Sequence, residues 1–141
     1  MLSDGSRTAA TALAVAVGGA VGAALRYRVW RCWPDDAATF PLTTFTINVV
    51  GCFLFGMCIG VIPDTGRDST TIVRAFLMFG VLAGFTTFSF FAVQGVTLTS
   101  PRVGVLCLVL TPAVAAGAAW AGRACAFVLP VRARRARRHA Q

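Results

Sequence analysis

Four long stretches without a charged residue divide the chain. They cover residues 8–25, 37–62, 75–100 and 103–122, and each holds 18 to 26 residues. About 20 apolar residues in an α-helix are enough to cross the hydrocarbon core of a bilayer. The pattern therefore predicts four transmembrane helices, over about 8–26, 40–62, 71–98 and 103–128. A soluble helical bundle is the alternative, but it requires polar helix faces that these stretches scarcely have.

Composition supports a membrane protein. The 141 residues are 57% hydrophobic and have a mean hydropathy of +0.74, which is too apolar for an ordinary soluble domain. The first stretch follows seven residues with one arginine and one aspartate, and it is long and rich in glycine. We therefore expect it to be a membrane helix rather than a cleaved signal peptide.

The 13 arginines are distributed unevenly about the predicted helices. Four spans place both termini on one side, where eight arginines lie, and leave four in the segments on the other side. This bias favours cytoplasmic termini. We expect residues 1–129 to form one transmembrane domain and residues 130–141 an arginine-rich cytoplasmic tail. Because that tail directly follows a membrane helix, we expect it to contact anionic lipid and not nucleic acid.

Gly80–Phe91, with the sequence GVLAGFTTFSFF, interrupts the third stretch with polar and aromatic residues. Its two glycines weaken the helix ahead of three hydroxyl side chains. Polar groups inside a bilayer are costly and typically functional, and freed carbonyls there require cover from protein or a cavity. We therefore expect the third helix to be broken at mid-membrane and to form part of a site. Its freed carbonyls would suit a small cation such as Na⁺.

Polar residues in helices 2 and 4 have two interpretations each. Asn48 shares a helix face with Thr44 and Gly51, and either forms an interhelical hydrogen bond or aims its NH₂ group at a ligand. Thr111 precedes Pro112, and its hydroxyl either compensates for the backbone bond that proline removes or faces a polar pathway.

Arginine and aromatic residues alternate at the end of helix 1, in the sequence LRYRVWRCW. They are typical of an interfacial belt with snorkelling arginines. For Arg26, the residue nearest the membrane, a second interpretation is that it gives a pore mouth a positive potential.

The sequence offers few groups for catalysis or proton coupling. It has one histidine, in the tail, no glutamate, and five cysteines without a CxxC pair, so we expect neither an enzyme nor a metal site of zinc type. A drug/proton antiporter does not fit, because no predicted span contains an acidic residue. The polar groups are hydrogen-bond donors and aromatic rings, whose edges are positive, and they suit a small anion in passage.

Three segments together resemble the Fluc/CrcB family of fluoride channels: GGAVGAALRY (18–27), FPLTTFTINVVGCFLFG (40–56) and GVLAGFTTFSFF (80–91). The resemblance implies an all-α membrane protein that forms an antiparallel, dual-topology dimer, with two fluoride pores and a central Na⁺ at the broken third helices. It also implies a multi-pass protein of a bacterial plasma membrane, through which fluoride leaves the cytoplasm passively and becomes less toxic. Carried over residue by residue, the resemblance places six residues in the fluoride pore: Asn48, Phe88, Phe91, Thr44, Ser89 and Thr111. It makes Arg26 the residue of the pore vestibule. It assigns the Na⁺ site to the main-chain oxygens of Ala83 and Thr86.

The sequence departs from the family at three places. Ala83 stands where the family often has glycine, Phe90 where it has a small residue or threonine, and helix 4 has no tyrosine, so Thr111 is the nearest candidate there. The arginine bias also leaves another assembly open. A subunit fixed in one orientation would need an oppositely oriented homologue as its partner, or would be a non-conducting membrane subunit.

Pairs of glycines four residues apart predict close helix packing in lipid. Because four helices are too few to enclose a pore, such faces support a dimer. The pairs are Gly18/Gly22, Gly56/Gly60 and Gly80/Gly84.

Overall fold

The computed structural model of the chain is all-helical in the part that it describes, residues 4–62 and 68–139, with side chains over 5–62 and 69–128. The first two helices are long and separate, and the third apolar segment is built from several shorter elements. In chain order the elements are α1 (Asp4–Cys32), α2 (Leu42–Val61), α3 (Asp68–Arg74), a π-helical segment (Ala75–Leu82), α4 (Ala83–Phe85), α5 (Ser89–Thr97) and α6 (Pro101–His139).

Four helical segments are long and apolar enough to cross a membrane: Gly5–Cys32, Leu42–Val61, Ser69–Thr97 and Pro101–Val128. The prediction of an all-α protein with four such helices is confirmed. The first helix extends past the predicted limits of 8 and 26 at both ends, so its arginine- and tryptophan-rich end is still helical. The fourth continues beyond 128 as backbone helix to His139.

The helices pack as two groups. α1 packs against the π-helical segment and α4, while α2 and α5 both pack against α6. The connections 33–41 and 98–100 lie at the same end of the bundle, because the Thr99 amide donates a hydrogen bond to the Ala37 carbonyl over 3.1 Å. This end also carries the start of α2 and the end of α5.

Close backbone contacts between helices depend on glycine. A Cβ atom at Gly22 would collide with the carbonyl oxygen of Val81, and one at Gly56 with the carbonyl oxygen of Ala119. Each glycine pair predicted to form a close-packed face meets another helix of the same chain in this way. These faces are therefore filled within one subunit, and they do not themselves argue for a dimer interface.

Candidate functional site

The backbone leaves the helix at Thr86–Phe88, between the end of α4 at Phe85 and the start of α5 at Ser89. Thr86 is extended, with φ −73° and ψ 163°. Two amides that would donate to carbonyls four residues earlier in an unbroken helix have side-chain partners instead. The Thr87 amide donates to Asn48 Oδ1 over 2.8 Å, and the Phe90 amide to Thr87 Oγ1 over 3.2 Å. The carbonyls of Ala83 and Thr86 thereby lose their usual helical donors.

Asn48 joins α2 to this non-helical segment. Its side chain is buried, with 7% exposure, and its Nδ2 donates to the Thr87 carbonyl over 3.0 Å while its Oδ1 accepts from the Thr87 amide. Asn48 therefore does form a hydrogen bond across the fold, as one of its two interpretations required. The partner is not another helix, however, but the backbone of Thr87 in the non-helical segment, to which Asn48 makes two hydrogen bonds. Because the NH₂ group carries two hydrogens, one donor remains for a ligand. The two interpretations of Asn48 are compatible.

Arg26 reaches the same segment from α1. Its Nη1 donates to the Thr86 carbonyl oxygen over 2.8 Å, so the guanidinium stabilises one of the carbonyls that the helix leaves unpaired. A cation bound to that oxygen would lie beside a positive charge, which opposes its binding. The Ala83 oxygen accepts only a long contact, 3.5 Å, from Thr86 Oγ1. The Na⁺ site at the main-chain oxygens of Ala83 and Thr86, which the resemblance implies, stays a prediction.

One cavity of about 360 Å³ brings together four of the predicted pore residues, Asn48, Phe88, Phe91 and Thr111. The two phenylalanine rings meet edge to face, with centroids 5.4 Å apart and an interplanar angle of 69°. Phe91 is buried, with 5% exposure, whereas Phe88 is 78% exposed in the single chain. We call this space the phenylalanine cavity.

A second cavity, of about 330 Å³, shares Thr87 with the first. It brings together Arg26, Thr44 and Ser89, and Thr87 lines both cavities. We call it the arginine cavity, since Arg26 is its charged residue among those that the structure describes. The predicted pore residues therefore line two cavities that have Thr87 in common, and Thr87 is the residue to which Asn48 is hydrogen-bonded.

An aspartate in the connection before α2 determines where the Thr44 hydroxyl points. Pro41, the residue at the N-cap of α2, has no side-chain oxygen, and Asp35 supplies the missing cap by accepting from the amides of Thr43 and Thr44 over 2.8 and 3.1 Å. Its carboxylate also accepts from Thr44 Oγ1 over 2.6 Å and from Gln94 Nε2 over 3.2 Å. The hydroxyl proton of Thr44 is thus directed to Asp35 and not to a ligand.

The sequence pattern singled out neither Asp35 nor Gln94 as a functional residue. The partners of Asp35 lie eight, nine and 59 residues away. A conventional capping residue directly precedes its helix. The one available signal was an aspartate close before a helix that begins directly after a proline and has two threonines in its first turn.

Thr111 is buried in α6, with 3% exposure, and lines the phenylalanine cavity. Its Oγ1 lies 3.8 Å from Cys107 Sγ, and α6 continues through Pro112. The hydroxyl therefore has a sulfur partner, rather than a backbone group that Pro112 frees. Its position supports the pathway interpretation, in which helix 4 contributes Thr111 to the site.

Comparison with known proteins identifies the family. The family model described as CrcB-like protein, Camphor Resistance (CrcB), matches residues 13–123. The chain belongs to the CrcB family. Among curated CrcB relatives, the fluoride-specific ion channel FluC 1 of Streptomyces coelicolor is 43% identical over 121 residues, which are 83% of this chain and 78% of the relative. The resemblance seen in the sequence is confirmed.

Other relatives of this CrcB protein carry the same name. The fluoride-specific ion channel FluC 2 of Rhodococcus jostii is 40% identical over 115 residues, covering 79% of this chain and 95% of the relative. The fluoride-specific ion channel FluC of Novosphingobium aromaticivorans is 40% identical over 107 residues, covering 73% and 83%. Together with the four apolar helices, these matches show a multi-pass membrane protein of an ion-channel family.

Proposed function

We propose that this CrcB protein is a fluoride-selective channel through which fluoride leaves the cytoplasm passively, so that fluoride toxicity falls. The observation that carries the proposal is the phenylalanine cavity, where Asn48 and Thr111 meet the ring pair of Phe88 and Phe91. The names of the curated relatives support fluoride as the ion.

The lining of this cavity suits an anion that must keep moving. Among the described residues its lining contains no charged side chain, and its polar atoms are an amide, hydroxyls and backbone groups. Donors and ring edges can replace part of the hydration shell of fluoride, while the absence of a fixed charge avoids binding too tight for conduction. Arg26 lines the arginine cavity, where its positive charge attracts anions without holding them at the ring pair.

The assembly that completes the pathway is an antiparallel dimer of two oppositely inserted copies. In a single chain the Phe88 ring is 78% exposed although it lines the phenylalanine cavity, so this cavity is open on the Phe88 side. A second copy covering that side would close it from lipid. The helix interruption at Thr86–Phe88 then lies near the middle of the membrane. The main-chain oxygens of Ala83 and Thr86, beside this interruption, are the proposed ligands of a Na⁺ ion.

Efflux from liposomes tests the proposal. Vesicles containing the purified protein are loaded with potassium fluoride, and release is followed with a fluoride electrode after a K⁺ ionophore is added. We expect release of fluoride and not of chloride from matched vesicles. Phe88→Ile should abolish it, because the ring edge is lost from the cavity.

Phe79→Ile is the matched control for that variant. Phe79 is also exposed, at 61%, and lies in the same apolar span, but it lines neither cavity. The Phe79→Ile variant should release fluoride as the unmodified protein does. Equal release from both variants would remove the ring pair from the pathway, and no release from the unmodified protein would overturn the channel itself.

A further inference from the structure

Arg123 is a charged residue inside an apolar helix. It lies in α6 within the membrane-spanning segment Pro101–Val128, and no other charged residue stands between Arg102 and Arg132. Its side chain is exposed, and its guanidinium has no hydrogen bond or ion pair in the described part of the chain. A charge within the apolar part of a bilayer is costly unless it is paired or reaches the surface. A partner for Arg123 must therefore come from outside the described chain.

The position of Arg123 along α6 places it near the edge of the hydrocarbon core. The middle of Pro101–Val128 falls between Val114 and Ala115. At about 1.5 Å per residue, Arg123 is about 13 Å from this middle, and half of the hydrocarbon core is about 15 Å thick. Arg132, the first arginine of the tail, is about 26 Å from it, beyond the roughly 20–22 Å of half a bilayer with its headgroups. Of the arginines toward this end of α6, Arg123 is therefore the one at the depth of the lipid phosphates.

The guanidinium of Arg123 extends toward the bilayer surface. Its central carbon lies 5.7 Å from the ring centroid of Phe127, one turn nearer the C-terminal end of α6. Long side chains of a helix normally point back toward its N-terminus, which for Arg123 is the middle of the membrane. The side chain instead runs outward over an aromatic ring, as arginines do when their charge reaches the headgroup layer.

The face of α6 that carries Arg123 is not packed against the rest of the chain. α6 contacts α2 through another face, where Ala126 is 1% exposed and a Cβ atom at Gly122 would collide with the carbonyl oxygen of Phe53. Trp120 lies one turn deeper than Arg123 on the open face and is 76% exposed. A cation at phosphate depth with an exposed ring below it is complementary to a molecule that has an anionic group above an apolar chain.

We propose that Arg123 binds the phosphate of a phospholipid, whose acyl chains lie against the exposed ring of Trp120. The planar guanidinium donates two parallel hydrogen bonds to the phosphate oxygens. Phosphate is common to the phospholipids of both leaflets, so the contact forms in either orientation of the chain. The site does not depend on the proposed function, because it involves none of the residues that line the phenylalanine cavity.

Quenching of Trp120 fluorescence tests the site. The chain has three tryptophans, so the double variant Trp30→Phe/Trp33→Phe leaves Trp120 as its one indole. This variant, in a nonionic detergent, is titrated with phosphatidylglycerol brominated on its acyl chains, and in parallel with diacylglycerol that has the same chains but no phosphate. We expect half-maximal quenching at an about tenfold lower concentration of the phospholipid, as one hydrogen bond between charged partners provides. Equal quenching by the two lipids overturns the proposal.

Arg123→Gln in the same background should abolish the advantage of the phospholipid. Arg102→Gln removes the same charge from the other end of α6, where the side chain is also exposed, and should keep the advantage. Replacement of the five tail arginines with glutamine should keep it as well. If the advantage survives in Arg123→Gln, or is lost when the tail arginines alone are replaced, the phosphate is not held by Arg123.

A second copy of the chain is the competing occupant of this face of α6. Light scattering of Arg123→Gln in the same detergent separates the two occupants. We expect its oligomeric state to equal that of the unmodified protein while the advantage of the phospholipid is lost. A variant that falls apart into single chains, with quenching by both lipids unchanged, would assign the guanidinium to a contact between subunits and overturn the lipid site.

Discussion

At the residue scale, Asn48 has a structural role in its hydrogen bonds to Thr87, beside its proposed role as a donor to fluoride. Asn48→Ala removes both hydrogen bonds to Thr87 and leaves a buried N–H and carbonyl unpaired. At about 1–3 kcal/mol for each of the two unpaired groups, we expect the free energy of unfolding to fall by about 2–6 kcal/mol, together with a loss of fluoride flux. Thermal unfolding in detergent measures the first effect.

Thr46→Ala is the control for that change. Thr46 lies on the same helix, is exposed and makes no side-chain hydrogen bond in the described chain, so its variant should unfold within about 0.5 kcal/mol of the original protein. An Asn48→Ala protein of unchanged stability would contradict the structural part of the Asn48 role.

The partners of individual side chains were the least predictable feature of the site. Helical spacing placed Asn48 on one face with Thr44, and both do line the candidate site. Spacing says nothing about a partner on another element, however. Asp35 takes the Thr44 hydroxyl across nine residues, and Arg26 takes the Thr86 carbonyl across 60. Both partners depend on how the helices are arranged, which a single sequence does not contain.

Helix contacts at the scale of elements depend on which glycine faces a neighbouring backbone. Gly22 and Gly19 lie on the same helix, but a Cβ at Gly22 would collide with the Val81 carbonyl, whereas one at Gly19 meets nothing within 4 Å. Gly22→Ala should therefore separate α1 from the π-helical segment and lower the melting temperature by several degrees. Gly19→Ala should leave the melting temperature unchanged or raise it, because alanine has a higher helix propensity than glycine.

The melting temperatures of the two variants, measured in the same detergent, check this prediction. If the melting temperature of the Gly22→Ala protein equals or exceeds that of the Gly19→Ala protein, α1 does not pack as described. The glycine pattern indicated that close packing occurs. It could not indicate that the π-helical segment is the surface that α1 contacts, because a small-residue face is complementary to any close backbone.

The whole molecule was the scale at which the sequence was most informative. Uncharged stretches of 18 to 26 residues predicted four helices able to span a membrane, because length and apolar content are the physical requirements for insertion. The pairing of α2 with α6 and of α1 with the third span was not predictable in this way. Lipid-facing and helix-facing residues are equally apolar, so hydropathy does not distinguish them.

Orientation in the membrane is the property of the whole molecule on which the proposed dimer depends. Eight arginines lie on the side of both termini and four on the other, and five of the eight follow residue 130. An antiparallel pair of identical chains requires both orientations, so we expect a C-terminal reporter to give signal from both sides of the membrane. Replacing the five tail arginines with glutamine should increase the fraction with an external C-terminus, because the remaining bias is three against four.

The control variant replaces Arg123 in the same way. Arg123 lies within the fourth apolar helix and is counted among the arginines of neither side, so this variant should leave the ratio of external to cytoplasmic C-termini unchanged. A reporter signal from the cytoplasmic side alone would contradict dual insertion. The chain would then need a homologous partner of opposite orientation, and fluoride flux should appear only in vesicles that contain both proteins. Flux from the single chain inserted in one orientation would exclude that partner as well, and would require a parallel assembly around the phenylalanine cavity.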